Sequence, residues 1–286
     1  MSVVAAQPDD HMEPSSMQVE RYVVSLARQP ERRQAMANRL AAAGVSAGYF
    51  DAVDGRAEVN RGRLASLVDH GPWGAFAAHD KACTLSHLAV LGAFVKTNAA
   101  FALIMEDDAV IGQDLGDWLA DMSWWPSGGD VVRLERWCDD RLYLVMGPPK
   151  AHLGREVHPL LSRHSGTAGY LVSRAGALKI LAAPRPTAPI DHHLFNPGIS
   201  QLARDLNTFQ VVPALVTQAP AAPAVPTAET EDGPAATRPA RPFWREVKRA
   251  WSELTQAPRL LRAVLFQRAK VSRIAFASQV NAEGGA

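Results

Sequence analysis

Three consecutive acids, Glu106, Asp107 and Asp108, follow directly on the five apolar residues Phe101 to Met105 in the stretch FALIMEDDAVI. An apolar run this short, without alternation, fits a strand buried on both faces of a parallel α/β sheet, although periodicity alone also admits a buried helical segment. As a strand it carries the acids at its carboxyl end, the edge where open α/β sheets bind ligands. Alternation along the strand then sends Glu106 and Asp108 to one face and Asp107 to the other. Carboxylates this close repel, and their pKa values rise unless a cation compensates. A hard divalent ion held by one or two carboxylates plus phosphate oxygens suits such a cluster. The competing reading is a solvated acidic turn after a core strand.

The elements needed to position that strand can be read around it. Residues 1–18 are polar, contain Pro8 and Pro14, and read as a disordered N-terminus. A β-prone run, Tyr22 to Leu26, leads into ARQPERRQAMANRLAAAG, a helix with Pro30 near its start and Gly44 at its stop. AGYFDAVDG then reads as a second strand closed by a turn at Asp54-Gly55. Strand, helix and strand in this order predict a βαβ unit. RGRLASLVDHG is a further helix, and HDKACTLSHLAVLGAFVKTN a longer one whose Ala82, Leu85, Leu88, Leu91 and Phe94 give a broad buried face.

After the acids, DLGDWLADMSWW predicts a short helix, and DVVRLERW and RLYLVM are strand candidates. Residues 147–166 read as a loop-rich cover over a ligand. TAGYLVSRAGALKILAA is a strand followed by a helix, and TFQVVPALVTQ a last strand or pair broken at Pro213. The expected organisation is one catalytic domain over residues 19–217, a Pro/Ala-rich linker over 218–242, and a basic amphipathic helical tail over 243–286 interrupted at Pro258.

Net charge is +1, but 10 Lys/Arg stand against two Glu between Arg238 and Arg273, so that stretch carries +8 and the remainder −7. A mildly acidic body with a basic end does not describe a nucleic-acid binder; it describes an end that meets something anionic. Cys83 and Cys138 form neither a disulfide framework nor a zinc-ligand spacing, and read as free thiols of a reducing compartment. The first twenty residues show no basic region followed by a long apolar core, and no stretch reaches about 18 consecutive apolar residues, so neither a signal peptide nor a membrane span is expected.

Three separated pieces resemble glycosyltransferase family 25, the lipopolysaccharide β-galactosyltransferase family. VVSLARQPERRQAMANRLAAAGVSAGYFDAVDGR is similar to its opening strand, helix and F-D-A-V-D-G turn. CTLSHLAVLGAFVKTNAAFALIMEDDAVI is similar to its Cys-x-x-Ser-His helix and acidic strand end. GTAGYLVSRAGALKIL with IDHHLF is similar to its third block. The resemblance covers about residues 20–200. It departs at His79-Asp80-Lys81-Ala82, where the family has a Gly-Glu-x-Gly run.

The resemblance implies a GT-A-like α/β domain with a mostly parallel twisted sheet flanked by helices. It also implies transfer of a hexose, galactose by family, from a UDP-sugar to a lipopolysaccharide, lipooligosaccharide or lipid-linked glycan, with inversion. Mn²⁺ or Mg²⁺ would be held by Glu106 and Asp108, with Asp108 serving catalysis. Ser25, Arg28, Ser86, His87 and Asp107 would contact the donor. For Arg28, Arg32 and Arg33 the alternative is a solvated helix start, and for His87 a core histidine satisfied by the backbone. Asp191 is the candidate base taking the acceptor's proton, with a helix-capping role as its alternative; His192 or His193 is a candidate metal or phosphate contact. Asp130 and Glu135 are weaker base candidates. A cytoplasmic enzyme is expected, peripheral on the inner membrane if its basic tail lies at an anionic surface near a lipid-linked acceptor; the alternative for the tail is a helix packed back on the catalytic domain or a disordered basic end. The rival reading is a catalytically silent nucleotide-sugar or glycan-binding protein, with the altered 79–82 run as its support.

Overall fold

Alternating strands and helices build the first half of the protein. A computed structural model describes residues 18–72, 74–137, 142–218 and 243–279. Strand β1 (Val19–Ser25), helix α1 (Pro30–Ala42) and strand β2 (Gly48–Asp51) form the expected unit, with β2 parallel to β1. Pro30 opens α1, where its missing N–H costs nothing, and Gly44 at φ +65° turns the chain out of it. A short α2 (Arg61–Ala65) and the hairpin β3 (His70–Gly71)–β4 (Gly74–Ala75) precede α3 (Ala78–Phe94). Then β5 (Phe101–Glu106) lies parallel to β1.

The second half begins with β6 (Ala109–Ile111), α4 (Leu115–Ala120), β7 (Val131–Arg133), β8 (Glu135–Arg136) and β9 (Leu144–Met146). It continues through β10 (Lys150–His152), β11 (Arg155–Pro159), β12 (Gly169–Ser173), α5 (Arg174–Ala182), α6 (Ile190–Phe195) and α7 (Gln201–Asp205). Strands β13 (Thr208–Val212) and β14 (Val216–Gln218) flank Pro213, as expected of a broken pair, and α8 (Phe243–Phe266) and β15 (Lys270–Ser272) close the described chain.

The main sheet has the order β10-β11-β13-β7-β12-β5-β1-β2. Its pairs β1–β2, β1–β5 and β7–β13 are parallel, and the other four are antiparallel. The sheet is therefore mixed, a correction to the mostly parallel one expected. The cause is β12, which sits antiparallel between β5 and β7. The chain reaches it over the carboxyl edge of β5, so Gly169 pairs with Met105 and Ser173 with Phe101.

Strand β5 is buried on both faces, as its composition demands. Leu103 and Met105 face a core with Met36, Leu40, Trp118 and Leu171. Ala102 and Ile104 face a second core with Leu91, Phe94, Tyr170 and Leu194. Full burial of Leu103, Ile104 and Met105 contributes about 1.5–3 kcal/mol each, so the strand carrying the acids is firmly held.

Two expectations fail here. Residues 147–166 contain the β10–β11 hairpin rather than a continuous loop. Its exposed edge strand Lys150–His152 is short and polar, a pattern that blunts sheet edges and hides a strand from the eye. Helix α8 also runs through Pro258 rather than breaking there. Gln256 and Leu260, on either side of the proline, line a cavity together with Leu161 and Pro197 of the body. Beyond α8 the chain is not a helical tail: β15 pairs antiparallel with β9, Ala214 N–H donates to Ala275 O at 2.7 Å, and Gln113 N–H to Ser278 O at 2.6 Å. Of the linker expected over 218–242, Gln218 belongs to β14 and 219–242 lie outside the described residues, as do residues 1–17 of the N-terminus expected to be disordered.

Candidate active site at the carboxyl edge of β1 and β5

Strand β5 ends at Glu106, and the chain turns through Asp107 and Asp108 into β6. The turn cancels the alternation expected of an extended strand. Asp107 is buried and accepts a hydrogen bond from Ser25 Oγ at 2.6 Å. Arg32, in the first turn of α1, forms a close ion pair with Asp107 and reaches Asp108 at 3.2 Å. The carboxylates of Asp107 and Asp108 thus converge on one guanidinium instead of pointing to opposite faces.

Asp108 retains a buried Oδ1 without a partner. Burial pushes its pKa up, the nearby Glu106 adds to this, and Arg32 only partly offsets it. Glu106 is treated differently. Burial raises its pKa, but hydrogen bonds from His87 at 3.2 Å and Thr167 Oγ1 at 2.6 Å outweigh it and hold the carboxyl below its ordinary value. His87 is fully buried, and its Nδ1 meets the Tyr170 hydroxyl at 3.0 Å. It is a core histidine, as its alternative had it, but it is satisfied by a tyrosine and a carboxylate rather than by backbone.

The spacing of Cys83, Ser86 and His87 on α3 places them on one helix face. Ser86 Oγ accepts from Val53 N–H at 2.8 Å and donates to Ala82 O at 2.7 Å, tying the Val53–Gly55 turn to the helix. On that turn Asp54 accepts from Arg56 N–H at 3.0 Å and from Arg28 Nε at 2.7 Å. The Arg56 bond and the Arg28 guanidinium hold Asp54 below its ordinary pKa against the effect of burial. A cavity of about 500 Å³ opens beside these groups, lined among others by Ser25, Arg28, Arg32, Asp54, Ser86, His87, Glu106 and Asp107. Every predicted donor contact lines it.

Asp108 and Asp191 do not line this cavity. Asp191 lies in the first turn of α6, where Oδ1 accepts from His192 N–H at 2.8 Å and Oδ2 from Gly166 N–H at 3.1 Å. It is not the capping residue named as its alternative, since α6 begins at Ile190 after Pro189 with no side-chain cap; it is joined to the acids through the residue after Gly166, Thr167, which holds Glu106. Asp130 is placed elsewhere: it precedes β7 at the opposite sheet edge and is consumed by Lys179 at 2.8 Å and Asn207 N–H at 2.9 Å. His193 is buried, its Nε2 has no partner, and burial lowers its pKa to about 4. Of the run that departs from the family pattern, Lys81 is structural, buried and bonded to Leu67 O and Asp69.

Two features were missed in the sequence. Arg32 had been grouped with solvated helix starts, although a cation in the first turn of a helix opposes the macrodipole and needs a reason to be there. The acid cluster is that reason. The second feature is a buried clamp. Arg133 donates to Gly166 O and Ser165 O, both at 2.9 Å, and lies 3.3 Å from Glu135, which accepts from Ala168 N–H at 2.9 Å. Together they hold Ser165–Ala168, the segment that presents Thr167 to Glu106 and Gly166 to Asp191.

For a metal, two donor sets are available. Glu106, Asp107 and Asp108 offer oxygen only, the preference of Mg²⁺ and Mn²⁺. Among the described residues, Cys83, His87 and Glu106 also bring one ligand atom each within 4.8 Å of one another. Burial drives the Cys83 thiol well above its ordinary pKa, so this softer set starts with its sulfur protonated.

The fold is a mixed α/β domain that gathers acids and guanidinium groups around a strand-end cavity, and comparison with known proteins gives its family. The model of "Glycosyltransferase family 25 (LPS biosynthesis protein)" matches residues 18–194, and the chain belongs to that family. It is 29% identical over 218 residues to the lacto-N-neotetraose biosynthesis glycosyltransferase LgtB of Neisseria gonorrhoeae, covering 70% of this chain and 74% of that protein. LgtE of Neisseria meningitidis serogroup B is similar at the same identity and coverage. The lipooligosaccharide biosynthesis protein lic2B of Haemophilus influenzae is 24% identical over 207 residues, 69% of this chain and 75% of that protein.

Proposed function

We propose that this glycosyltransferase moves a hexose, galactose by family resemblance, from a UDP-sugar to a lipopolysaccharide, lipooligosaccharide or related glycan, with inversion and with a divalent metal. The observation that carries the reading is the strand-end cavity whose lining brings Glu106 and Asp107 together with Arg28 and Arg32. Mn²⁺ or Mg²⁺ fits the oxygen set, because the orphaned Oδ1 of Asp108 supplies an unused ligand atom beside Glu106. When bound, such an ion stabilises the negative charge that develops on the leaving diphosphate.

The chain's own residues do the rest. Arg28 and Arg32 line the cavity and suit the diphosphate oxygens as charge-assisted donors. Ser25 and His87 hold Asp107 and Glu106 in place. Asp191 accepts the proton of the attacking acceptor hydroxyl. The new bond from that oxygen to the anomeric carbon forms as the bond to phosphate breaks, and its electron pair leaves with UDP. Association with an anionic membrane surface at the cytoplasmic face of the inner membrane through α8 suits a lipid-linked acceptor; no helix among the described residues is long and apolar enough to cross a membrane.

A second reading rests on Arg32, which already neutralises two of the three acids. A site so balanced would also serve a silent nucleotide-sugar binder. A thermal-shift screen of UDP-galactose, UDP-glucose, UDP-N-acetylglucosamine and GDP-mannose, with and without Mn²⁺, is expected to show Mn²⁺-dependent stabilisation by a UDP-sugar. UDP release with acceptor separates transfer from mere binding. Asp108→Asn is expected to abolish turnover and keep the fold. Because burial raises the Asp108 pKa, its charge costs stability once pH climbs above the unfolded value, so the amide melts no lower than wild type at pH 7. Full transfer by this variant removes the metal role.

A further inference from the structure

A second cavity, about 540 Å³, is walled by Arg136, Trp137 and His164 of the body and by Arg273, Ile274 and Phe276 of the returning C-terminal segment. It shares no wall residue with the donor cavity. Gly166 lines neither, but the residue after it, Thr167, holds Glu106 of the donor cavity. A Cβ on that glycine would lie 2.6 Å from Trp137 and 2.4 Å from Glu135 Oε1, while its N–H donates to Asp191. His164 stands two residues before it. The candidate base and the indole of the second cavity therefore flank the same residue.

The walls have a definite chemistry. Trp137 offers an indole, and two guanidinium groups accompany it. The Arg273 guanidinium lies over the Tyr143 ring, 4.6 Å from its centroid, which fixes its position at the rim. The returning segment is firmly seated: β15 pairs with β9, Ile274 packs with Leu144, Met146 and Ala214, and buried Arg155 donates to Ala277 O at 2.9 Å. Arg155 is itself anchored by Asp114 at 2.7 Å. This wall is part of the folded body, although it lies outside the residues that match the family model.

We infer that this cavity receives the acceptor glycan, and that Arg136 and Arg273 select an acceptor carrying an anionic group, phosphate or carboxylate, on or beside the accepting sugar. An aromatic face packs against the apolar face of a sugar ring, and paired guanidinium groups recognise planar or tetrahedral oxyanions by bidentate hydrogen bonds. Acceptor choice is thereby set by residues 273–276, beyond the stretch that defines the family. The inference rests on the glycosyltransferase reading above.

The test uses the full-length protein with its UDP-sugar donor and three synthetic acceptors of one core: a neutral glycoside, its phosphorylated form and its uronic-acid form. Wild type is expected to prefer an anionic acceptor at least tenfold in kcat/KM, and the phosphate and carboxylate arms report which anion is used. Arg273→Glu is expected to erase that preference through acceptor KM, and Arg136→Gln to weaken it. Donor-induced stabilisation in each variant checks folding and donor binding. Equal use of neutral and anionic acceptors by wild type, or an unchanged preference in Arg273→Glu with donor binding intact, overturns the acceptor assignment alone. Failure of wild type to bind or turn over any nucleotide sugar overturns the transferase reading and the assignment with it.

Discussion

Glu135 shows how far a single residue can depart from its solution chemistry. It is fully buried, one oxygen has no partner, and burial lifts its pKa to about 8 despite the nearby Arg133, whose own pKa burial lowers to about 10. An acid whose folded value is raised favours the fold when protonated. Between the unfolded value near pH 4.5 and pH 8 the unfolded chain releases a proton that the folded one keeps, so stability falls as pH rises through that window. Glu135→Gln keeps an oxygen for Ala168 N–H and removes the titration. Its stability, followed by urea unfolding at pH 5, 6.5 and 8, is expected to change less steeply than wild type, by up to about 1.4 kcal/mol per pH unit. Parallel slopes would show that Glu135 is ionised in the fold.

The residues of the site were unevenly legible. Glu106, Asp107, Ser25, Ser86 and His87 could be placed because each sits at a strand end or on one helix face. Asp108 and Arg32 could not, because their geometry depends on a tight turn and on a contact across 75 or more residues of chain. The Arg133–Glu135 clamp was hidden inside an apparently ordinary strand, DVVRLE, where charged residues suggest exposure and only tertiary packing shows full burial.

At the scale of elements, the segment 165–168 is the joint of the site. Gly166 adopts φ +84°, and any Cβ there meets both Glu135 and Trp137 below 3 Å. Gly166→Ala combines left-handed backbone strain with overpacking and is expected to cost about 1–3 kcal/mol in denaturant unfolding. It should also lower turnover, since Thr167 and the Asp191 contact lie on either side of the change. Wild-type stability in that variant would mean that the segment relaxes freely. The βαβ opening and the β12–α5 unit could be read from pattern and punctuation. The direction of β12 could not, because a buried strand reads the same in both orientations. The β10–β11 hairpin was concealed by its polar edge.

At the scale of the whole molecule, α8 gives the protein a one-sided surface. Gln256 and Leu260 face the body and Ala263 is buried, whereas Trp251, Leu254, Leu261 and Leu265 are 68, 62, 59 and 64% exposed. At about 100° per residue these four fall within an arc of roughly 80°, on the far side of the helix. Such a stripe on a basic segment is suited to the interface of an anionic bilayer. Leu261→Glu combined with Leu265→Glu is expected to reduce sedimentation with phosphatidylglycerol-containing vesicles at least fivefold while transfer to a short soluble acceptor persists. Undiminished vesicle binding would remove the membrane role proposed for α8. The basic helix was legible in composition, but the return of β15 to the body was not, since three residues of an edge pairing leave almost no periodic trace.

Strand β12 also decides when the protein becomes whole. Strands β5 and β7 never touch; each waits for β12, whose Gly169–Ser173 must travel back to residues 101–105 before the sheet closes. Pairings this distant along the chain are slow to nucleate. The same closure carries Thr167 to Glu106, so a nascent or misfolded intermediate lacks both a continuous sheet and an ordered acid cluster. The acid cluster is therefore complete only in a sheet that β12 has joined.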